Sequence, residues 1–292
     1  MKPQAITLER TGVAQVRIGA DQPLALIAGP CAIESESHSL KMAEAILNIT
    51  SKLGIQLVFK SCYNKDCRSS IESFHGIGVE EGLGILQKVR DTFEIPVTSD
   101  VSNIEWIDAT AAVVDMVQIP AYLCRQTHLL LAAGETGLPV HIKKGQFLSP
   151  WNMKNAAIKV ASTGNRNILL TDRGTFLGYN ALVSDMRCFR IMKETGFPVC
   201  YDATHSIQMP GSLGTSSGGQ REFIPDLVRA AMAAGANALF IETHDNPAKA
   251  LCDATTQLPL EYLETVLQQA KAVYDLVADL SEVEIIQKAP VR

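Results

Sequence analysis

Short apolar runs recur along the chain, separated by longer segments in which apolar residues return every three or four positions. The runs are "LALIAG" (24–29), "QLVFKS" (56–61), "PVTSDV" (96–101), "MVQIP" (116–120), "PVHIKK" (139–144), "NILLTD" (167–172), "PVCYDAT" (198–204) and "NALFIET" (237–243), eight in all. They are rich in Val, Ile and Leu without strict alternation, as strands covered on both faces are. The intervening patterns, such as "SHSLKMAEAILNITSKLG" and "IPDLVRAAMAAGAN" with Gly235 as a stop signal, have the helical period. Eight strand–helix units predict an α/β fold of the (β/α)8 barrel class. Ahead of them, "ITLERTGVAQVRIG" predicts a short hairpin around Thr11 and Gly12, placed to cap the N-terminal mouth. The expected organisation is one domain over residues 1–292, with the hairpin at about 5–19 and the barrel at about 24–280.

Composition narrows the function. A net charge of −5 argues against a general nucleic-acid surface. No run approaches the roughly 18 apolar residues that span a bilayer. The polar start "MKPQAITLERTGVAQVRIG" lacks the apolar core of a signal peptide. Seven scattered cysteines fit reduced thiols, so a cytoplasmic location is expected.

In this architecture the chemistry belongs at the C-terminal ends of the strands. Those ends carry Lys60, Lys65, Arg68, Arg125, Lys143, Lys144 and Arg173, a cationic set in an acidic protein. Such a set suits a substrate with several phosphate or carboxylate charges. The stretch "FKSCYNKDCRSS" poses two alternatives, a cysteine pair for a metal or a cationic loop for an anion. A second constellation is Cys31, His205, Glu242 and Asp253, from strand ends and loops that a closed barrel brings together. Mixed S, N and O donors suit Zn, Fe, Mn or a similar divalent ion. The residue types alone equally allow a core cysteine, a hydrogen-bonded histidine and helix-capping acids.

The segments "IAGPCAIES", "RSSI", "QIPAYLCRQT", "KKGQFLSPW", "YDATHSIQMPG", "SGGQREF" and "CDATTQLPL" resemble, in order and over residues 24–275, the 3-deoxy-D-manno-octulosonate 8-phosphate (Kdo 8-phosphate) synthases. The resemblance implies condensation of phosphoenolpyruvate with arabinose 5-phosphate on the route to a lipopolysaccharide sugar, in a homotetramer. Cys31 resembles the metal-dependent branch, which implies Cys31, His205, Glu242 and Asp253 as ligands of a divalent ion. It further implies that Lys60, Lys65, Gln118, Lys143 and Arg173 bind phosphoenolpyruvate. Arg68 and Ser69 match the pair that binds the aldose phosphate across a subunit interface, with Cys67 at an aldose-contacting position. Lys65, His205 and Asp253 are the candidate catalytic groups. On this reading the stretch is an anion loop, and Cys62 is a packing residue.

The chain departs from the family pattern at Asp66, Cys67, His75, Ser102 and Leu177. Several of these lie around the implied aldose site, and a thiol is a poorer hydrogen-bonding group than the usual Asn. A synthase for another aldose phosphate, or a non-catalytic phosphosugar-binding barrel, are therefore the alternatives. The "KDCRSS" loop disfavours the related heptulosonate-phosphate synthases. A Schiff-base lyase would rest on Lys143 by position alone.

Overall fold

The computed structural model describes residues 3–280 except 69, 213, 215 and 216, together with residue 283. All eight predicted runs are strands: Ala25–Gly29, Gln56–Lys60, Val97–Asp100, Met116–Ile119, Val140–Lys143, Ile168–Asp172, Val199–Asp202 and Ala238–His244. They are parallel and pair in sequence order. The eighth strand pairs with both the seventh and the first, which closes the barrel. Full closure leaves no sheet edge exposed.

The helices between strands are α1 (Glu36–Leu53), α2 (Val79–Phe93), α3 (Ile107–Val113), α4 (Thr127–Glu135), α5 (Met153–Ala161), α6 (Arg187–Lys193), α7 (Ile224–Ala233) and α8 (Leu260–Ala278). Helix α1 shows why a segment starts and stops where it does. Ser35 caps its first turn by accepting from the His38 amide, and Gly54 ends it in the left-handed region at φ 65°. One apolar cluster lies between the sheet and this helical layer, with Met42 and Ile46 of α1, Val228 and Met232 of α7, and Leu263 and Leu267 of α8 fully buried or nearly so.

A second cluster fills the barrel's lower interior. It joins Ile27, Val58, Met116, Leu169, Cys200, Ala238 and Phe240 of the strands to Ile6, Leu8, Val16 and Ile18. Those last four belong to the predicted hairpin, whose strands Ile6–Leu8 and Val16–Ile18 pair antiparallel. The hairpin thus plugs the N-terminal mouth. Its loop turns at Gly12 with φ 79°, the left-handed conformation that glycine adopts freely. Arg10 then anchors it, donating to Asp115 Oδ1 at 2.6 Å and to the Val114 carbonyl at 2.8 Å.

Above Phe240 the interior changes from apolar to charged. Along the eighth strand Ala238 and Phe240 belong to the apolar cluster, and Glu242 follows two residues later. The period of two carries Val58 to Lys60, Met116 to Gln118, and Cys200 to Asp202 in the same way. Shorter ribbons, Thr175–Phe176 with Leu182–Val183 and Gln208–Met209 with Gly218–Gly219, stand in the loops at that end.

Because the plug and the lower barrel share one apolar cluster, Ile18→Ala is expected to lower unfolding free energy by about 2–5 kcal/mol. Chemical denaturation checks this. A loss below 1 kcal/mol, on the order of a surface substitution, would mean that the hairpin is not integrated with the barrel.

Candidate active site

The C-terminal mouth holds a cavity lined by Lys60, Lys65, Arg68, Lys143 and Arg173, with Gln118, Cys67, His205 and Asp253 also at its walls. Five of the seven cations singled out in the sequence therefore converge. Two do not. Lys144 is fully buried and turned away, its Nζ donating to the Gly174 carbonyl at 3.1 Å and Thr175 Oγ1 at 3.0 Å, with Asp172 at 3.4 Å. Adjacent residues on a strand face opposite sides, so Lys143 and Lys144 cannot both point inward. Arg125 is exposed outside the cavity lining. Ser69 lies outside the described residues.

Acids interleave with the cations, which the sequence reading did not weigh. Lys60 donates to Glu242 Oε1 and, at 3.1 Å, to the Cys31 carbonyl. Lys143 Nζ lies 2.6 Å from Asp202 Oδ2 and rests on the Phe240 ring, 3.0 Å from its centroid. Arg68 Nη1 lies 3.2 Å from Asp253 Oδ1. Two guanidinium donors remain unmatched: Arg68 Nε and Arg173 Nη1 are buried with no hydrogen-bond partner. A buried, charged donor without a partner calls for an anion. Lys65 adds a cation with no carboxylate in ion-pair range among the described residues, its Nζ 3.8 Å from Cys62 Sγ.

The mixed-donor set also comes together. Cys31 Sγ lies 3.3 Å from Asp253 Oδ2, His205 Nε2 lies 3.6 Å from the same oxygen, and His205 Nε2 lies 3.5 Å from Glu242 Oε2. Glu242 Oε2 is buried without a hydrogen-bond partner. His205 Nδ1 is 2.8 Å from Asp202 Oδ2, so the ring is oriented by a carboxylate and Nε2 faces the cluster. These residues fit a divalent ion by donor chemistry, by mutual distance and by the orphaned Glu242 oxygen.

The electrostatics follow from the packing. Burial opposes ionisation of Asp202, but the His205 and Lys143 charges outweigh it and hold the carboxyl well below its usual range. Burial likewise disfavours the His205 imidazolium, yet Asp202 and Glu242 raise it to about 9. Burial, the hydrogen bond to Cys252 and the Asp253 charge push the Cys31 thiol well up. Any ion bound here therefore displaces protons from its ligands.

Three features escaped the sequence. Asp202 orients both Lys143 and His205; its place at a strand end, two residues beyond buried Cys200, was the available signal. Asp100 accepts from Gln118 and, at 3.2 Å, from Cys62 Sγ, which gives Cys62 a hydrogen bond as well as a packing role. Cys252 sits 2.9 Å from Cys31 Sγ, a proximity that no spacing rule reveals across a 221-residue separation.

The departures divide by position. Asp66, Cys67 and Ser102 line the cavity, and Ser102 Oγ donates to Asp66 Oδ2. His75 closes instead on the Ile71 carbonyl at 3.1 Å, and Leu177 is exposed; neither lines the cavity.

Comparisons with known proteins agree with this architecture. The family model described as the DAHP synthetase I family matches residues 4–279. The 2-dehydro-3-deoxyphosphooctonate aldolase of Geotalea uraniireducens is 52% identical over 266 residues, 91% of this chain and 98% of the relative. The proteins of that name from Syntrophotalea carbinolica and Protochlamydia amoebophila are each 51% identical over 270 residues, 92% of this chain and 98% of each relative. The chain belongs to the DAHP synthetase I family, among its 2-dehydro-3-deoxyphosphooctonate aldolases, the Kdo 8-phosphate synthases.

Proposed function

We infer that the chain condenses phosphoenolpyruvate with arabinose 5-phosphate and water, giving Kdo 8-phosphate and inorganic phosphate. The observation that carries this reading is the pair of orphaned guanidinium donors, Arg68 Nε and Arg173 Nη1, in one cavity of a chain about half identical to proteins of that name. Two anionic substrates require two such poles.

In this reading Lys60, Lys65, Gln118, Lys143 and Arg173 hold phosphoenolpyruvate, and Arg68 with Ser69 holds the phosphate of the aldose. C3 of phosphoenolpyruvate attacks the aldehyde carbon, and water adds at C2. The resulting phosphorylated hemiketal loses phosphate by cleavage of its C2–O bond. The lysines and Arg173 face the carboxylate and phosphate anions, and their fixed positions stabilise the negative charge that the departing phosphate takes with the C2–O electron pair, without reorganisation. Asp253, which burial alone would protonate, is kept ionised by its His205 hydrogen bond and the Lys65 charge, and its carboxylate is a proton acceptor beside the aldehyde. Cys31, His205, Glu242 and Asp253 would hold a divalent ion, which supplies Lewis-acid stabilisation of charge developing on oxygen.

Lys143 is a poor Schiff-base nucleophile despite burial, which pushes its pKa down, because its Nζ is committed to Asp202 at 2.6 Å. The homotetramer of single barrel domains is part of this reading, and the exposed side chains of Ile71 (83%) and Tyr179 (97%), in the loops after the second and sixth strands, are surface that such an assembly would cover. No helix among the described residues is long and apolar enough to cross a membrane. We place the reaction in the cytoplasm, on the way to lipopolysaccharide.

Phosphate release is expected only with both substrates present, to fall on chelation and to return with a divalent ion. Release that survives exhaustive chelation, or Cys31→Asn protein with unchanged metal content and activity, removes the ion from this scheme. Other aldose phosphates run in parallel test the acceptor. Arg68→Ala is expected to cost about 1.5–3 kcal/mol in binding of the acceptor, read as a roughly 10- to 150-fold rise in its KM with a smaller change for phosphoenolpyruvate.

Cysteine reactivity gives an independent check. Cys67 is exposed and the other six thiols are buried. Burial pushes Cys62 up to about 11 and Cys200 to about 12. Native alkylation near neutral pH is therefore expected to label Cys67 first, and arabinose 5-phosphate to slow it. Mass spectrometry that finds a buried thiol modified first, or no protection, would separate Cys67 from the acceptor site.

A further inference from the structure

A second group of donors sits outside the cavity, where the end of the eighth strand meets the start of α1. We propose that Glu34, His38 and His244 form a divalent-cation site of their own, suited to a borderline ion such as Zn2+ or Co2+, that ties the first and eighth βα units together.

Ligand atoms from these three residues lie within 4.8 Å of one another. The His244 side chain is 4% exposed, His38 14% and Glu34 19%. Two ring nitrogens, His38 Nδ1 and His244 Nε2, are buried and make no hydrogen bond. His244 Nε2 faces Glu34 Oε1 at 3.3 Å, and the two imidazole rings stand 4.5 Å apart at 40°. The group shares no residue with the Cys31–Asp253 or His205–Glu242–Asp253 clusters. Buried imidazole nitrogens are ordinarily satisfied, and two unpartnered ones in a group that also holds a carboxylate indicate a ligand. Two nitrogens and one oxygen suit Zn2+ or Co2+, with water completing the shell.

Asp245 supplies the orienting carboxylate that histidine ligands use. His38 Nε2 lies 3.1 Å from Asp245 Oδ1, so that nitrogen donates and Nδ1 keeps its lone pair. Lys41 steadies the same carboxylate at 2.6 Å. His244 needs one adjustment. Its Nδ1 accepts from the Asn246 amide at 2.8 Å, which places the ring proton on Nε2. Binding moves that proton to Nδ1, where Asp245 Oδ1 at 3.1 Å accepts it, and the Asn246 amide lets go. With neutral rings, Glu34 and Asp245 against Lys41 leave one net negative charge to meet the cation.

The site connects to the loop that carries Asp253. Glu34 Oε1 accepts from the Leu251 amide at 2.9 Å, and Cys252 and Asp253 follow immediately. An ion on Glu34 fixes one end of that loop without touching substrate.

Chelated full-length protein titrated with Co2+, followed by absorbance and calorimetry, tests the proposal. Two equivalents per chain are expected: one with a sulfur-to-cobalt band from Cys31, and one without thiolate character. His38→Gln and, separately, Glu34→Gln should lose only the thiolate-free equivalent, or bind it at least tenfold more weakly, and keep phosphate release. Cys31→Asn should lose only the banded equivalent. A thiolate-free equivalent that vanishes in His38→Gln supports the site even if no sulfur band is ever seen, which would tell against the Cys31 reading alone. Wild-type protein that takes up no thiolate-free equivalent overturns the proposal, as does retention of that equivalent in both folded variants. A hydrogen-bonded histidine cluster only would then be the result.

Discussion

Glu242 has no exposed surface, and the upper half of the barrel is arranged around that fact. An unpaired carboxylate there would cost several kcal/mol in lost hydration. Lys60 on the second strand donates to one oxygen, and His205 beyond the seventh strand faces the other at 3.5 Å. The eighth strand pairs with the first and seventh, so closure of the sheet is what brings these groups into range. Lys143 and Asp202 repeat the arrangement on the fifth and seventh strands. Beneath both pairs lies Phe240, the upper limit of the apolar plug. A dry floor strengthens each ion pair above it, and the pairs hold their side chains in place before substrate arrives.

The recurrence of short continuous apolar runs made the barrel legible. Each strand is buried on both faces, so continuous Val, Ile and Leu runs marked all eight, and the hairpin followed from the turn at Thr11 and Gly12. The strand-end rule then found most of the cavity wall. Pairing was less legible. A list of cations predicts an electropositive mouth, whereas Lys60, Lys143 and Arg68 each meet an acid from a distant segment. Only three-dimensional closure reveals these partners. Lys144 was misplaced for a simpler reason: strand periodicity, applied strictly to "HIKK", sends it to the opposite side from Lys143.

The departures from the family pattern acquire a physical account at two positions. Asp66 and Ser102 face the same cavity from different loops, and the hydroxyl donates to the carboxylate. Each change supplies what the other needs, so they act as one altered contact. That contact adds a negative charge to the wall near Cys67, on the side of Arg68. Arg68 itself is untouched, since its guanidinium keeps an unmatched buried donor. In the proposed function the alteration therefore bears on hydroxyl contacts of the acceptor more than on its phosphate.

Asp253 shows how the two halves of the site are coupled. It holds a positive φ of 50°, unusual for a residue other than glycine. Such strain persists where surrounding contacts over-determine it. Cys31, His205 and Arg68 each approach this one carboxylate, from the first, seventh and second units of the barrel. Arg68 is thus shared between Asp253 and any phosphate that enters. A dianion competing for that guanidinium weakens its hold on Asp253 and leaves the carboxylate to Cys31 and His205. In the proposed function, occupancy of the acceptor pole and the charge balance of the mixed-donor cluster are therefore linked through a single side chain.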